Sequence, residues 1–292
     1  KTAAGLAVFI LLIFMYSAFG QRSIHKVIIQ RNTLRFSCLY STSIKMSSSE
    51  SGGSAIVGNA NIVKERSKLA AVQVGRNIES VRLVAVSKTK PVENIQELYE
   101  AGYRSFGENY FQELVEKAQS LPKDISWHFI GHLQSSKASK LVKEVPNLAV
   151  LETVDSVKLA GKLNNACEAV GREPLSVFVQ VDTSGETTKS GVEDGVELDE
   201  LVLFIKEQCP YLRLSGLMTI GAPGDMSCFD KLVTSRDRVA ASLGMGADQL
   251  ELSMGMSSDY EEAIRRGATS VRVGSTIFGP RLYPTKPPVE SL

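Results

Sequence analysis

Lys88 is the residue of this sequence best suited to covalent chemistry. It follows an apolar segment, residues 81–86, that reads as a buried strand. A lysine amine at the end of such a strand is partly desolvated, which lowers its pKa and populates the neutral amine. A neutral amine attacks an aldehyde and forms a Schiff base. The alternative is a lysine that extends its ammonium group into solvent, as we expect for its neighbour Lys90.

A second set of residues is suited to holding an anion. Two segments near the end of the chain combine small and hydroxyl-bearing residues, namely Ser253, Gly255, Ser257, Gly274 and Ser275. Backbone N–H groups and hydroxyls exposed in such segments, together with the N-terminus of a following short helix, cradle phosphate groups. Ordinary glycine and serine turns are the alternative interpretation.

Arg272 alternates with two valines and is therefore expected to point into the protein interior or toward its mouth. A buried guanidinium needs a partner. That partner is either a buried acid or a ligand atom, such as a ring nitrogen or a phosphate oxygen. His132 and Lys189 are weaker candidates, and Lys189 falls in a polar, glycine-bearing loop over residues 182–191.

Short β-rich segments alternate with amphipathic helical segments from residue 56 onward. The pattern predicts one helix at the front, over residues 57–80, and eight strands separated by seven helices. Such alternation implies parallel strands joined by right-handed crossovers. The predicted strands are 81–87, 104–106, 127–130, 148–153, 176–181, 212–217, 250–253 and 270–273.

Eight strand–helix units in about 230 residues favour an α/β fold, a single (β/α)₈ TIM-type barrel, over an open doubly wound sheet. No Gly-x-Gly-x-x-Gly segment follows the first strand, and the chain has no Gly-x-x-x-x-Gly-Lys-Ser/Thr loop. In a barrel the chemistry lies at the carboxyl ends of the strands. This is where the pattern places Lys88, the pair Glu108 and Asn109, and the segment around Arg272.

Composition argues against nucleic acid as a partner and against a metal site. The net charge is +1, and residues 1–49 hold six of the 33 basic residues and none of the 32 acidic ones. The rest of the chain is therefore acidic, which disfavours binding to phosphate backbones. The four cysteines and three histidines show no spacing typical of a zinc site or of a disulfide framework.

The N-terminal region is expected to lie outside the folded domain. Residues 6–19 are apolar, but 14 residues are too few for a stable membrane span. The basic, serine-rich segment that follows resembles a transit peptide, and Met46 is an alternative start. We predict an N-terminal extension over 1–55, disordered or used for targeting, a barrel over 56–284 and a tail over 285–292. We expect a cytoplasmic protein, with a mitochondrial or other organellar form if the extension is translated.

Five segments resemble the YggS/PROSC family, and the resemblance covers residues 57–283. The segments occur in the family's order and are together highly specific, although each alone is weak. They are AVSKTKP (85–91), FGENY (106–110), HFIGHLQSSK (128–137), LSMGMSSD (252–259) and VRVGSTIFG (271–279).

The resemblance implies a barrel similar to the N-terminal domain of alanine racemase, with pyridoxal 5′-phosphate (PLP) as a Schiff base on Lys88. It implies that Arg272 faces the pyridine nitrogen and that Gly274, Ser275 and Ser257 bind the phosphate. It also implies Ser253 as a second phosphate ligand from the seventh strand. Asn109 and Met218 match positions that line the cofactor. The family is regarded as a carrier and regulator of PLP and B6 vitamers, without an established turnover reaction.

Three functions remain open from the sequence. The first is a non-enzymatic PLP carrier, which agrees with an arginine opposite the ring nitrogen because an unprotonated ring is a weak electron sink. The second is an amino-acid racemase-like enzyme, although the sequence leaves no room for the second domain of racemases. The third is a barrel enzyme for phosphosugars. We expect a monomer whose partners are PLP, B6 vitamers and, in a further step, PLP-dependent apo-enzymes.

Overall fold

The computed structural model describes residues 54–185 and 190–280. These ranges contain nine α-helices and nine strands. In chain order they are α1 (Ala55–Gln73), β1 (Arg82–Val86), α2 (Val92–Glu100), β2 (Ser105–Glu108), α3 (Phe111–Ser120), β3 (Ser126–Phe129), α4 (Ala138–Glu144), β4 (Leu148–Val154), α5 (Val157–Val170), β5 (Leu175–Asp182), β6 (Val192–Glu193), α6 (Val196–Gln208), β7 (Leu212–Met218), α7 (Ser227–Ser242), β8 (Glu251–Ser253), α8 (Tyr260–Arg265), β9 (Ser270–Val273) and α9 (Ser275–Phe278).

Eight of these strands form a closed parallel barrel. Their spatial order is β4-β3-β2-β1-β9-β8-β7-β5, and pairing of β4 with β5 closes the ring. The first and last strands are neighbours, with Val84 opposite Arg272 in the register. The carboxyl end of β1, where Lys88 follows, therefore lies beside the carboxyl end of β9. The expected (β/α)₈ barrel with an extra N-terminal helix is confirmed.

The covering helices form because apolar residues recur at helical spacing on one face. In α5 the buried residues Leu159, Leu163 and Cys167 are four positions apart and pack against the barrel. The Ser156 hydroxyl accepts a hydrogen bond from the N–H of Leu159 at 3.3 Å and caps the helix start. Gly171, at φ 65°, ends the helix in the left-handed conformation.

Three elements differ from the sequence prediction. Helix α1 ends at Gln73 instead of residue 80, and Gly75, with φ 75°, follows in a turn. The two-residue strand β6, which directly follows the polar loop over residues 182–191, pairs in parallel with the end of β5 and was not predicted. For α9, the sequence predicted a short helix beside the anion cradle but not its bounds. Elements of two and four residues are too short to produce a detectable hydrophobic period.

The barrel belongs to one compact unit, Gly53–Ala71 with Asn77–Leu292. A second unit consists of Lys1–Gly52 and Val72–Arg76, and only its residues 72–76 are described. The predictions for the apolar segment 6–19, the extension up to residue 53, the tail 285–292 and Lys189 fall outside the described residues. No helix within the described ranges has the length and apolar character needed to cross a membrane.

The thiols and acids of the barrel give no sign of a metal centre. Cys167, Cys209 and Cys228 are free and buried, as expected for unpaired thiols. Burial raises the pKa of the Cys167 and Cys209 thiols, so both are inert as nucleophiles. The described part of the chain contains no group of three or more histidine, cysteine or acidic side chains arranged to hold a metal ion.

Candidate functional site

A cavity of about 310 Å³ lies at the carboxyl ends of the barrel strands. Its lining includes five of the eight residues that the sequence singled out for cofactor binding: Lys88, Ser257, Arg272, Gly274 and Ser275. Val86 and Ile130 provide apolar walls. The volume is at the lower end of the range for small-molecule sites. The barrel thus brings one amine, one guanidinium and a set of small hydroxyl residues to a single cavity.

Lys88 belongs to a tight turn that a buried ammonium group holds in place. We call Ser87, Glu108, Glu113 and Lys117 the Lys117 cluster. The Lys117 Nζ donates hydrogen bonds to the Ser87 carbonyl oxygen at 2.8 Å, to Glu108 Oε1 at 2.8 Å and to Glu113 Oε1 at 2.6 Å. The three bonds use all three N–H donors of the ammonium group. The backbone immediately before Lys88 is therefore fixed by a side chain of α3.

The residue after Lys88 is held in an unfavourable conformation. Thr89 has φ 62°, the only positive φ of a non-glycine residue among the described ranges. Its N–H donates a hydrogen bond to Glu113 Oε1 at 2.7 Å, so the Lys117 cluster fixes both sides of Lys88. A β-branched residue in the left-handed region carries strain of about 1–3 kcal/mol, which the surrounding contacts must offset.

Glu108 is the titratable member of the Lys117 cluster. It is fully buried, and its Oε1 accepts hydrogen bonds from the Ser87 hydroxyl at 2.6 Å and from Lys117. Its Oε2 has no hydrogen-bond partner among the described residues. Burial raises the pKa of Glu108 to about 7, although Lys117 and Ser87 act in the opposite direction. The turn of Lys88 thus lies on a carboxyl group that titrates near neutral pH.

Lys90 was expected to be solvated, and this expectation is wrong. Its Nζ donates hydrogen bonds to the Phe278 carbonyl oxygen at 3.0 Å and to the Pro280 carbonyl oxygen at 2.8 Å. The Phe278 carbonyl ends α9 and would otherwise lack an intrahelical partner, and the Pro280 carbonyl lies two residues beyond the helix. Lys90 therefore ties the turn of Lys88 to the segment that follows β9.

Backbone donors converge on Ser257 at the opposite wall of the cavity. The Ser257 Oγ accepts a hydrogen bond from the N–H of Gly274 at 3.1 Å and a longer one from the N–H of Thr276 at 3.4 Å. The N–H of Ser275, between them, has no hydrogen-bond partner in the described residues. Three successive N–H groups with a nearby hydroxyl can hold an anion. Their place after the seventh and eighth barrel strands is the usual phosphate position of this architecture.

Two glycines of this wall cannot carry a side chain. A Cβ on Gly274 would lie 3.2 Å from the Val86 carbonyl oxygen and 3.3 Å from the Val86 Cβ, against the strand that leads to Lys88. Gly255 has φ 91°, and a Cβ there would lie 2.5 Å from the Ala263 Cβ. Asp259 Oδ1 accepts a hydrogen bond from the N–H of Met256 at 2.6 Å and closes the same loop. The loop that carries Ser257 is thus tightly defined.

A row of four polar side chains crosses the barrel interior beneath the cavity. We call His128, Glu152, Ser253 and Arg272 the Arg272 row. His128 Nδ1 and Glu152 Oε1 are 2.6 Å apart, the Ser253 hydroxyl donates to Glu152 Oε2 at 2.5 Å, and the Arg272 guanidinium donates to the Ser253 Oγ at 2.6 Å. Arg272 also donates to the Thr219 carbonyl oxygen at 2.8 Å. The sequence left open an acid or a ligand as the partner of Arg272, and Arg272 both faces Glu152, at 3.9 Å, and lines the cavity.

The charges of the Arg272 row are set by mutual contact. Burial pushes the pKa of Glu152 upward, but His128, Arg272 and Ser253 together hold it below its ordinary value. Burial lowers the pKa of Arg272, which Glu152 and Asp259 partly oppose. A guanidinium nevertheless stays protonated at physiological pH. Arg272 therefore presents a fixed positive charge at the base of the cavity, and its position is set by Ser253 and Thr219.

Three residues predicted to bind the cofactor do not line the cavity. Ser253 is fully buried, and its hydroxyl is committed to Glu152 and Arg272. Met218 packs inside the barrel with Val150 and Phe178. Asn109 is partly exposed, and its carbonyl oxygen would lie 2.0 Å from a Cβ on Gly131. Direct contact of these three residues with a cofactor stays a prediction.

His132 lies outside the cavity as well. Its side chain is 56% exposed, and its Nδ1 is 3.1 Å from Asp155 Oδ2 and 3.3 Å from the Ser190 hydroxyl. Glu152 lies near the end of β4 and Asp155 directly follows that strand, and from the sequence both are expected near the rim. Asp155 is there, but Glu152 is fully buried in the Arg272 row. A strand-end position alone does not separate these two acids, because the side chains of β4 alternate between the barrel interior and the helices.

Sequence reasoning missed Lys117 and Glu113. Their spacing of four residues on α3 is typical of an exposed helix pair, which carries no functional signal. The available signal was the position of Lys117 between Leu114 and Ala118 on the apolar face of α3. A lysine on a buried helix face needs acidic partners, and Glu108 at the end of β2 is one such partner.

The cavity fits PLP in its donors and in its space. Lys88 supplies an amine for the aldehyde, the N–H of Ser275 and the Ser257 hydroxyl suit a phosphate, and Arg272 lines the same cavity. The space against Val86 that a side chain on Gly274 would fill stays open because that residue is glycine. The bound cofactor would supply an aldehyde that takes up amines reversibly.

The known proteins that resemble this chain agree with that fit. A sequence model of the alanine racemase N-terminal domain matches residues 69–282. The pyridoxal phosphate homeostasis protein of Mus musculus is 49% identical over 243 residues, which cover 78% of this chain and 88% of the mouse protein. The structure of PipY from Synechococcus elongatus with PLP bound is 33% identical, with a TM-score of 0.59 and coverage of 73% of this chain and 99% of PipY.

An alanine racemase from Clostridium difficile shares the fold alone. It is 17% identical with a TM-score of 0.57, and the match covers 76% of this chain and 57% of the racemase. The identity and the covered share of the matched protein are both higher for the mouse homeostasis protein. The chain therefore belongs to the YggS/PROSC family, whose curated relatives are named pyridoxal phosphate homeostasis proteins.

Proposed function

We propose that this protein is a PLP-binding protein of intracellular B6 homeostasis and holds PLP through a Schiff base on Lys88. The observation that carries the proposal is that Lys88 and the Ser257–Gly274–Ser275 wall line the same cavity. Relatives named pyridoxal phosphate homeostasis protein and the PLP-bound structure of PipY support the same cofactor.

The residues of the cavity divide the work of holding the cofactor. Lys88 provides the covalent contact, and the Lys117 cluster orients the turn from which it projects. The N–H of Ser275 and the Ser257 hydroxyl would donate hydrogen bonds to the phosphate, while the N–H groups of Gly274 and Thr276 hold the Ser257 Oγ in place. Lys90 fixes the end of α9 and so keeps these donors in place relative to Lys88.

Arg272 favours a carrier over a catalyst. A fixed guanidinium beside the pyridine nitrogen disfavours protonation of the ring, and an unprotonated ring stabilises a carbanion poorly. The Arg272 row contains a carboxylate, Glu152. The Ser253 hydroxyl bridges Glu152 and Arg272, because it donates to the carboxylate and accepts from the guanidinium. Relatives of this chain are named as homeostasis proteins and not as enzymes, which agrees with this assignment.

The visible absorption spectrum of the purified protein tests the role of Lys88. We expect a Schiff-base band in the wild type and PLP that stays on the chain after borohydride reduction. Lys88→Ala and Lys88→Arg should lose both signals completely, because a guanidinium is not a nucleophile at neutral pH. The matched control is Lys158→Ala, an exposed lysine on α5. Full retention of borohydride-trapped PLP in Lys88→Ala would disprove the assignment.

The racemase-like alternative makes a separate prediction. An amino-acid racemase exchanges the α-proton of its substrate with solvent. Incubation of the PLP-loaded protein with alanine in D₂O, followed by proton NMR, measures this exchange. We expect no deuterium incorporation above the level of free PLP at the same concentration, whereas faster incorporation would replace the carrier by an enzyme.

The assembly, the recipients and the location of the protein belong to the proposal as well. We propose that it acts as a monomer, that it passes PLP to apo-enzymes and that it works in the cytoplasm, with an organellar form if the N-terminal extension is made. Sedimentation at micromolar concentration, transfer of PLP to an apo-aminotransferase beyond the rate of free release, and the mass of the native N-terminus test these points one by one.

A further inference from the structure

A second cavity, of about 440 Å³, lies at the amino ends of the barrel strands, opposite the PLP site. Its mouth is formed by the first residues of β1, β2, β3 and β8, which are Arg82, Ser105, Ser126 and Glu251. Its floor is deeper in the barrel, at His128, Val150 and Phe178. None of these residues takes part in the proposed binding of PLP.

Serines stand where a barrel interior normally packs branched apolar residues. Ser105 and Ser126 are opposite each other in the register of β2 and β3, and Ser176 occupies the second position of β5. Valine, isoleucine and leucine usually fill these layers of a barrel. The Ser105 and Ser126 hydroxyls make no hydrogen bonds to other described residues. The cavity therefore exists because small serine side chains occupy positions that larger apolar side chains usually fill. The serine hydroxyls on its wall remain available as hydrogen-bond donors.

Arg213 gives this cavity a positive charge that no acid neutralises. Its guanidinium donates to the Ser176 hydroxyl, from Nε at 3.2 Å and also from NH2. No carboxylate within the described ranges forms an ion pair with it. The other guanidinium of the mouth, Arg82, is paired in a bidentate manner with Glu251 at 2.6 and 3.1 Å. The mouth therefore carries one excess positive charge, located on Arg213.

The floor adds one polar atom to an apolar surface. His128 is 2% exposed and lines the cavity, and its Nδ1 is committed to Glu152 at 2.6 Å. Its second ring nitrogen, Nε2, has no hydrogen-bond partner in the described part of the chain. Val150, Phe178 and Leu214 provide the remaining floor and wall. The Nε2 of this imidazole therefore opens onto the cavity, where a ligand atom can reach it.

We propose that the amino-terminal mouth of the barrel binds a small carboxylate with an apolar body. The carboxylate pairs with Arg213 and accepts hydrogen bonds from the serine hydroxyls, and the apolar body packs on Phe178 and Val150. Arg213 is exposed at the mouth, and its single excess charge matches a monoanion more closely than a phosphate dianion. A guanidinium fork suits the two oxygens of a carboxylate.

Titration of the full-length, PLP-loaded protein with benzoate tests the proposal, with ligand-observed NMR as the measurement. We expect saturable binding with a Kd of about 1 mM or tighter, as is usual for a ligand of this size. Arg213→Gln should weaken it about ten-fold or more, since a charge-assisted hydrogen bond is lost. Arg66→Gln, at an exposed arginine of α1, should leave it unchanged. The neutral isostere benzamide should bind at least about ten-fold more weakly than benzoate.

A second variant and a crystallographic probe locate the site. Ser126→Leu fills the cavity and should abolish benzoate binding while the PLP absorption band stays unchanged. A soak with 4-iodobenzoate should place its anomalous peak inside the cavity, with the carboxylate beside Arg213. Benzoate binding that is absent in the wild type, unchanged in Arg213→Gln, matched by benzamide, or located elsewhere in the crystal would overturn the proposal. None of these outcomes depends on the identity of the lysine that carries PLP.

Discussion

Two groups of buried charges flank the PLP site, and their carboxyl groups behave in opposite ways. The Lys117 cluster lies under the turn of Lys88, and the Arg272 row crosses the barrel beneath the cavity. Each contains a fully buried glutamate with a cationic neighbour. Burial raises the pKa of Glu108 to about 7, whereas the pKa of Glu152 lies below its ordinary value.

The difference follows from how the donors and charges are distributed around each carboxylate, since Glu152 faces His128 and Arg272 whereas Glu108 faces Lys117 and the like charge of Glu113. Both oxygens of Glu152 are satisfied, Oε1 by His128 and Oε2 by Ser253. In Glu108 only Oε1 is satisfied, by Ser87 and Lys117, and Oε2 has no partner among the described residues. Burial penalises both charges, but only Glu152 is compensated at each oxygen. Hydrogen bonds and neighbouring charges, rather than depth, therefore decide which glutamate stays ionised.

This comparison assigns different roles to the two groups. Glu152, with its lowered pKa, and the Arg272 guanidinium keep their charges over the physiological range, so the position of the guanidinium at the base of the cavity is constant. The Lys117 cluster changes its charge near neutral pH, and it holds the backbone on both sides of Lys88. We expect the first group to determine stability and the second to determine how stability and PLP binding respond to pH.

The largest effect should come from breaking the Arg272 row. Glu152→Ala leaves Arg272 and His128 buried without their carboxylate, and removal of one partner of a buried ion pair costs about 3–5 kcal/mol. Urea unfolding measures this loss. The control is Asp155→Asn at the rim of the same barrel end, whose partner His132 is exposed, and it should cost less than about 1 kcal/mol. Equal losses of stability in Glu152→Ala and Asp155→Asn would show that the buried Arg272 row does not stabilise the barrel more than the ion pair at the rim.

The second prediction concerns the pH dependence of Glu108. Its folded pKa of about 7 is above the ordinary value of 4.5, so between these pH values the folded chain keeps a proton that the unfolded chain has lost. The stability contributed by this group is full below the unfolded pKa and falls as the pH rises toward 7, by about 3 kcal/mol in all. Glu152 has the opposite sign, because its contribution is lost only as the pH falls through its lowered folded pKa.

Glu108→Gln should remove this pH dependence, since an amide does not titrate. Urea unfolding at several pH values between 4.5 and 8 compares the variant with the wild type. We expect the wild type to lose stability relative to Glu108→Gln across that interval. Glu116→Gln, at an exposed position of α3, should follow the wild type at every pH. Parallel curves for Glu108→Gln and the wild type would show that Glu108 does not titrate in this window.

The sequence predicted the barrel and much of the PLP site because both depend on patterns along single segments. The apolar strand before Lys88 and the alternation around Arg272 place both residues at one barrel end, and in the structure both line the same cavity. The Lys117 cluster was missed because its contacts join a strand end, a turn and a helix face. The cavity around Arg213 was missed because empty volume leaves no hydrophobic period.

The smallest effect should come from Thr89, where the Lys117 cluster acts on the backbone. Thr89→Gly relieves the strain of a positive φ but adds freedom to the unfolded chain, so the net change in stability should stay within about 1 kcal/mol. The matched variant Thr89→Ala removes the β-branch and keeps most of the backbone strain.

The rate of PLP release is the sharper measurement at this position. A turn that can leave the left-handed conformation no longer orients Lys88, so Thr89→Gly should release PLP about two- to five-fold faster than Thr89→Ala. In a Glu113→Gln background, which weakens the hydrogen bond to the N–H of Thr89, the difference between the glycine and alanine variants should shrink. Equal release rates for the two Thr89 variants would mean that the Lys117 cluster supports the fold of the turn without orienting Lys88 for its cofactor.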